Sequence, residues 1–400
     1  NHRRVDPDAA GALTAAASRV ALVSRAPLVF LSGGVDSRVA TAALVAAGLR
    51  PALLTLADAD NLEVKVARVV ARAFRCPHEV YYRDSGYYLR SLARASISAN
   101  GSHVWVHDHF AEAYSQRLSR GEVDVAVLGD FCEAFSKLFC TIPAGSSLWE
   151  PHAFLEHFDE LPLPNYRPRD RQATLGLFAS DLRRVATESL RSQIAERWSA
   201  ARGVSRDPRI AGDFFFRWQC TSCLPTFQMF VNVRSAGPER NLMFDPEVHA
   251  LLERMPAAMR AERRLGAHVV RRLHRLAGVL PDSNTLVPLV FPTSLHRLAK
   301  AARPKLGTLR RRLISDTYRT TASWPHLPLL MQRDPQWRSR IEQLLFESPL
   351  ARLPELSGES VRRAWEAFSA GALDRHQDVE RLVGLATVLD LVASSKQLTS

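Results

Sequence analysis

The chain has 400 residues, 46% hydrophobic and 24% charged, which is the balance of an ordinary globular protein with room for one large or two medium domains. It holds no run of about 18 apolar residues, and its first residues lack the apolar core of a secretion signal, so no membrane partner and a cytoplasmic location are expected. The net charge of +12 suits anionic partners, but the basic residues are spread over helical patterns such as Arg260–Arg275 and read as solvated faces, so nucleic acid is not the expected partner.

Taken in chain order, Pro27–Leu31 is a short β-rich run that stops at two glycines. Asp36–Gly48, small and apolar with a terminal glycine, predicts a buried helix. Pro51–Leu56 predicts a second strand, and Asn61–Phe74 a helix whose apolar face is Val64, Val66, Ala67, Val70, Ala71 and Phe74. His78–Tyr82 is a third strand, Ser85–Ala99 and Trp105–Leu118 read as helices, and Val123–Leu128 is a fourth strand ending at Gly129. Strands that alternate with helices predict an α/β fold with a parallel sheet covered on both faces. Ligands in such sheets bind at the carboxyl ends of the strands, where both glycine-bearing segments fall.

Thr141–Pro168 is proline-rich and aperiodic, a linker or substrate loop. Beyond it the pattern is mostly helical: Asp181–Trp198, Asp213–Val231, Pro246–Met255, Ala261–Leu276, Trp337–Phe346 and Ser360–Ala370. The expected organisation is a nucleotide-binding α/β core over residues 1–150, followed by a helical domain over 151–400 that completes and covers the active site.

The chemistry is concentrated in Leu31-Ser32-Gly33-Gly34-Val35-Asp36-Ser37. Two glycines between a strand and a helix allow a tight turn with positive φ, and the helix start offers unpaired N–H groups to an anion. Ser32 and Ser37 add hydroxyl donors. Asp36 suits an anion site only by holding Mg²⁺, which phosphate oxygens would share. The segment is neither the Gly-x-x-x-x-Gly-Lys-Ser/Thr loop nor Gly-x-Gly-x-x-Gly.

The segment resembles the Ser-Gly-Gly-x-Asp-Ser loop of ATP-pyrophosphatases, which cleave ATP between the α and β phosphates and form an adenylate. Three further segments are similar to the asparagine-synthetase branch of that superfamily, which includes β-lactam-forming synthetases and lasso-peptide cyclases. They are Leu54–Ala73 with Cys76-Pro-His-Glu-Val80, then Val127–Phe135, then Pro238–Val248. The resemblance implies that Leu31, Ser32, Gly33, Gly34, Asp36, Ser37, Leu56 and Gly129 bind ATP. It further implies that Asp130 and Glu133 are catalytic acids, and that Asp36 and Glu133 hold Mg²⁺. Within the second segment Phe131, Cys132 and Ala134 depart from the family pattern, and in the third Arg240 and Asp245 are the matching charges. Gly266–Arg271 is similar to a Lys-x-x-Leu-Arg helix, but Ala267 stands where the family has its lysine. Arg271, Arg272 or a residue from another segment stands in for that cation, or the reaction does without it; Arg271 is taken as the catalytic candidate.

The implied function is an ATP-dependent ligase that adenylates a small-molecule or peptide carboxylate and couples it to ammonia or an amine, the nitrogen supplied by the substrate or by a separate subunit. Two alternatives stay open: a tRNA-thiolating enzyme, and a catalytically impaired nucleotide-binding partner protein. Cys220-Thr-Ser-Cys223 has the spacing of a metal or redox pair, but zinc needs two more ligands, and reduced thiols are the expectation for all five cysteines. His103, His107 and His109 read as a helix surface, and Phe214–Trp218 as a core helix.

Overall fold

The computed structural model describes residues 8–98, 110–129, 156, 175–206, 210–212, 214–215, 225–255, 264–299, 301–302, 327–372 and 375–399. The chain divides into two units, each discontinuous in sequence.

The first unit comprises Asn1–Gly86, Phe110–Leu138 and Val233–His326. Its strands are β1 (Pro27–Phe30), β2 (Ala52–Ala57), β3 (His78–Tyr82), β4 (Val125–Leu128) and β5 (Glu239–Asn241). They form one all-parallel sheet in the order β3-β2-β1-β4-β5. The apolar runs of β1 and β4, and that of β2 broken only by Thr55, are buried on both faces, as a sheet covered by helices requires. Edge strand β3, with charged and phenolic side chains, stays half-exposed. From β1 the chain first builds outward through β2 and β3, then returns to add β4 and β5 on the opposite side. The strand order therefore reverses between β1 and β4, and the crevice above their carboxyl ends is the switch point where such sheets take ligands.

Helix α2 (Val35–Ala46) leaves β1 and ends before Gly48, whose φ of +85° turns the chain so that Leu49 N–H returns to Leu44 O at 3.0 Å. Helix α3 (Leu62–Phe74) starts at Asn61, whose side chain accepts from Val64 N at 3.0 Å, and it buries the expected apolar face. Helix α1 (Asp8–Val23) has no counterpart in the sequence reading. Its Ala-rich stripe of Ala9, Leu13, Ala16, Ala17 and Val20 is buried against α2 and the later helices of the unit. Strand β5 was equally unexpected: three polar residues, held because Glu239–Asn241 pair with Ala126–Leu128. Buried Glu239 is held by Arg234, 2.6 Å away.

The second unit comprises Tyr87–His109, Phe139–Asn232 and Leu327–Ser400, and its described elements are helices, with one isolated antiparallel bridge between Phe178 and Leu356. They include α4 (Tyr87–Ser98), α5 of the first unit being Phe110–Ser119, then α6 (Ser180–Val204) and α7 (Pro225–Ala236), which runs across the unit boundary. The C-terminal helices of this unit include Pro335–Phe346, Gly358–Ser369 and His376–Thr399. Trp198 and Phe215 meet edge-on at 5.9 Å, and Trp337, Trp365, Phe368, Val379 and Val383 are among the other buried side chains. Among the described residues no helix is long and apolar enough to cross a membrane.

Candidate functional site

Strand β1 is extended by one residue. Leu31 donates its N–H to Leu54 O at 2.8 Å, and its carbonyl accepts from Thr55 Oγ1 at 2.6 Å. The same Thr55 oxygen lies 2.9 Å from His78 Nε2. The threonine proton is spent on Leu31, so the imidazole is the donor. Burial, assisted by Arg68, pulls His78 down to about 4 and keeps the ring neutral.

The chain then turns sharply. Gly33 adopts φ +71°, and a Cβ there would lie 2.9 Å from Val66 Cγ1 and 3.3 Å from Ala67 N. Both the conformation and the space require glycine. Gly34 is the N-cap of α2 and supplies no side-chain cap to the first-turn N–H groups. Ser32 and Ser37 cross the mouth of the turn, with their hydroxyls 3.3 Å apart; Gly34 N–H reaches Ser32 Oγ at 3.3 Å, and Ser37 Oγ reaches Gly34 O at 3.4 Å. These contacts are long beside an ordinary hydrogen bond of about 2.8–3.0 Å. Ser32 is exposed, and Asp36 on the first turn is half-buried.

Gly129 closes the crevice from β4. A Cβ on it would fall 2.9 Å from Asp36 C and from Ser37 Cα and N, so the two backbones touch. Sheet topology thus brings Leu31, Ser32, Gly33, Gly34, Asp36, Ser37 and Gly129 together. Leu56 lies in neighbouring β2, buried. At the carboxyl ends of β2 and β3, Asp58 and Arg83 form an interior ion pair at 2.8 Å.

Arg38, which sequence reasoning passed over, is fully buried. Its Nε and Nη2 donate to Gly33 O at 3.2 and 2.7 Å, and Nη1 donates to Ala277 O and Leu280 O, both at 3.0 Å. Nη2 also donates to Pro281 O. The guanidinium therefore ties the loop to the carboxyl end of a short helix, Arg275–Val279, whose last carbonyls need donors. Burial lowers it to about 10, against the pull of nearby Asp282, and it is a cation at neutral pH.

The segment after that helix returns to the loop. Ser283 N–H donates to Gly33 O at 3.2 Å, so this one carbonyl has three donors. Buried Asp282 shapes the turn: its Oδ1 accepts from Asn284 N at 2.8 Å, and its carbonyl accepts from Thr285 N and Leu286 N. The turn residues Asp, Ser and Asn after Pro281 were the available sequence signal.

Helix Arg264–Leu273 packs on α2, with Gly266 close against Val35. Ala267 and His268 are half-buried. Desolvation, with Arg271 and Arg272 nearby, lowers the His268 pKa. Arg271 is exposed, and its stem lies against Gly278; no hydrogen bond or ion pair ties it to the loop among the described residues. Asp245 caps the helix Pro246–Arg254 and is gripped by Arg19 at 2.7 and 2.8 Å, while Arg240 Nη1 donates to Glu239 O. Both serve local structure. Asp130, Glu133, Cys132, Cys140, Cys220, Cys223 and the histidines 103, 107 and 109 lie outside the described residues.

Compared with known proteins, the sequence matches no protein-family model and no curated protein.

Proposed function

We propose that the protein is an ATP-dependent ligase that adenylates a carboxylate with release of pyrophosphate and transfers the acyl group to ammonia or an amine. One observation carries the reading: the Ser32–Ser37 turn presents an uncapped helix start at the β1/β4 switch point. In this reading the loop N–H groups and the Ser32 and Ser37 hydroxyls hold the β and γ phosphates. The substrate carboxylate oxygen attacks the α phosphorus, and the bond to the bridging oxygen breaks toward pyrophosphate. The amine then attacks the acyl carbon, the bond from that carbon to the AMP oxygen breaks, and the amine gives up a proton as AMP leaves.

Asp36 and Ser37 offer hard oxygen donors, which fit Mg²⁺, an ion commonly held by one or two carboxylates together with substrate phosphates. When bound, the ion offsets the charge of the leaving pyrophosphate. Asp130 and Glu133 are proposed to add carboxylates, and exposed Arg271 the cation that Ala267 lacks. The carboxylate substrate is a small molecule or a peptide, with nitrogen from the substrate itself or a separate subunit. A cytoplasmic location belongs to the same proposal.

The test is carboxylate-dependent exchange of labelled pyrophosphate into ATP. Exchange with at least one carboxylate, lost in Asp36→Asn with the melting temperature retained, is the expected result. ATP binding without exchange on any carboxylate would instead identify a nucleotide-binding protein, and release of ADP would refute pyrophosphate chemistry.

A further inference from the structure

One wall of the turn is built by residues far away in sequence. A Cβ placed on Gly34 would lie 3.3 Å from Ser32 Oγ, 3.4 Å from Asn284 Nδ2 and 3.9 Å from Ser283 Oγ. Three polar side chains therefore ring the residue that starts α2. Ser283 is buried, whereas Asn284 and Ser32 are exposed and flank the mouth. The amide nitrogen of Asn284 is a two-proton donor with no charge to oppose an anion.

Asn284 is held at that place through the backbone of its own turn. Ser283 N–H is anchored on Gly33 O, and Arg38 bridges Gly33 O to the carbonyls of Ala277, Leu280 and Pro281, just ahead of the turn. Asp282 then fixes the peptide that carries Asn284. Arg38, although it follows the phosphate loop directly, spends its donors inward on carbonyl oxygens.

We propose that Asn284 is a binding residue for the terminal phosphates of the nucleotide, forming with Ser283 a second wall of the cradle, and that Arg38 is the positioning residue that fixes this wall against Gly33. The inference rests on the proposed function and deepens it. The ligand class it assigns to Asn284 is the pyrophosphoryl group, bound as part of ATP or as the free product. AMP lacks that group, so its binding does not depend on Asn284.

The experiment is titration calorimetry of the full chain with inorganic pyrophosphate and, separately, ATP and AMP, all with Mg²⁺. Wild type is compared with Asn284→Ala and the near-isosteric Asn284→Asp, each checked by thermal melting. Loss of one hydrogen bond to a charged group predicts about tenfold weaker pyrophosphate binding for Asn284→Ala. A larger loss is expected for Asn284→Asp, which sets a carboxylate against the anion, and AMP affinity stays unchanged in both. Unchanged pyrophosphate affinity in both variants overturns the inference and leaves the proposed function standing. Equal losses for pyrophosphate and AMP show that Asn284 acts only on the fold of the site, and overturn it too. A wild-type chain that binds neither pyrophosphate nor ATP overturns both readings.

Discussion

Arg38 Nη2 lies 2.7 Å from Gly33 O, and this contact joins a buried cation to the one residue of the loop with positive φ. Truncation of the side chain leaves Gly33 O with a single donor and strips the carbonyls of Ala277, Leu280 and Pro281 of theirs. Orphaned buried acceptors each cost on the order of 1 kcal/mol or more, so Arg38→Met is expected to lose about 3 kcal/mol or more in urea unfolding. Arg38→Lys keeps the charge without the planar fork and should recover less than half of that loss. Wild-type stability in Arg38→Met would contradict the clamp.

Gly33 and Gly129 make separable demands. Gly33→Ala imposes an unfavourable backbone conformation of about 1–2 kcal/mol and crowds Val66, so stability and exchange activity should both fall. At Gly129 φ is not the obstacle; the added methyl would press on the backbone of Asp36 and Ser37. Gly129→Ala is expected to reduce pyrophosphate exchange at least tenfold with a smaller change in melting temperature than Gly33→Ala produces. Comparing the two losses side by side checks this.

The His78–Thr55–Leu31 chain predicts acid sensitivity. The ring titrates near 4 in the fold against about 6.5 in an unfolded chain, so the unfolded state takes the proton first as pH falls. The stability this group contributes is full above about pH 6.5 and is lost as pH drops through 4. His78→Gln should show a shallower fall in melting temperature between pH 7 and pH 4.5. Parallel curves would contradict it.

Glu380 predicts the opposite slope in the helical unit. Full burial in the helix His376–Thr399 raises its carboxyl to about 8, with Arg381 only partly opposing the shift. The unfolded carboxyl ionises near 4.5, so the group's contribution is complete below that pH and is lost as pH rises through 8. Glu380→Gln should raise the melting temperature at pH 8.5 relative to wild type and leave it nearly unchanged at pH 4.5. Equal melting temperatures at both pH values would rule out a protonated Glu380.

Much of the sheet was legible because β1, β2 and β4 are short, mostly apolar runs flanked by glycine or proline, and because α3 carries a clean helical stripe ending at Phe74. Strand β5 was not, since Glu239-Arg240-Asn241 takes its extended form from the β4 ladder and from Arg234. The Ala-rich face of α1 was equally silent, because alanine contrasts little with the residues around it. At the site, Ser32 to Ser37 announced itself by local chemistry. Arg38 and Asn284 did not, because their meaning depends on a contact between α2 and a turn more than two hundred residues later. An arginine beside a glycine turn at a helix start reads as an anion ligand until its burial is known.

The three donors on Gly33 O also act on what faces solvent. A trans peptide is rigid, and its C=O and N–H point in opposite directions, so drawing the Gly33 carbonyl inward turns the Gly34 N–H toward exposed Ser32 at the mouth. Hydrogen bonds at one end of a peptide polarise the other, and a buried guanidinium is a strong polariser. Arg38 thereby strengthens the Gly34 N–H dipole through one rigid peptide plane while its own charge stays buried.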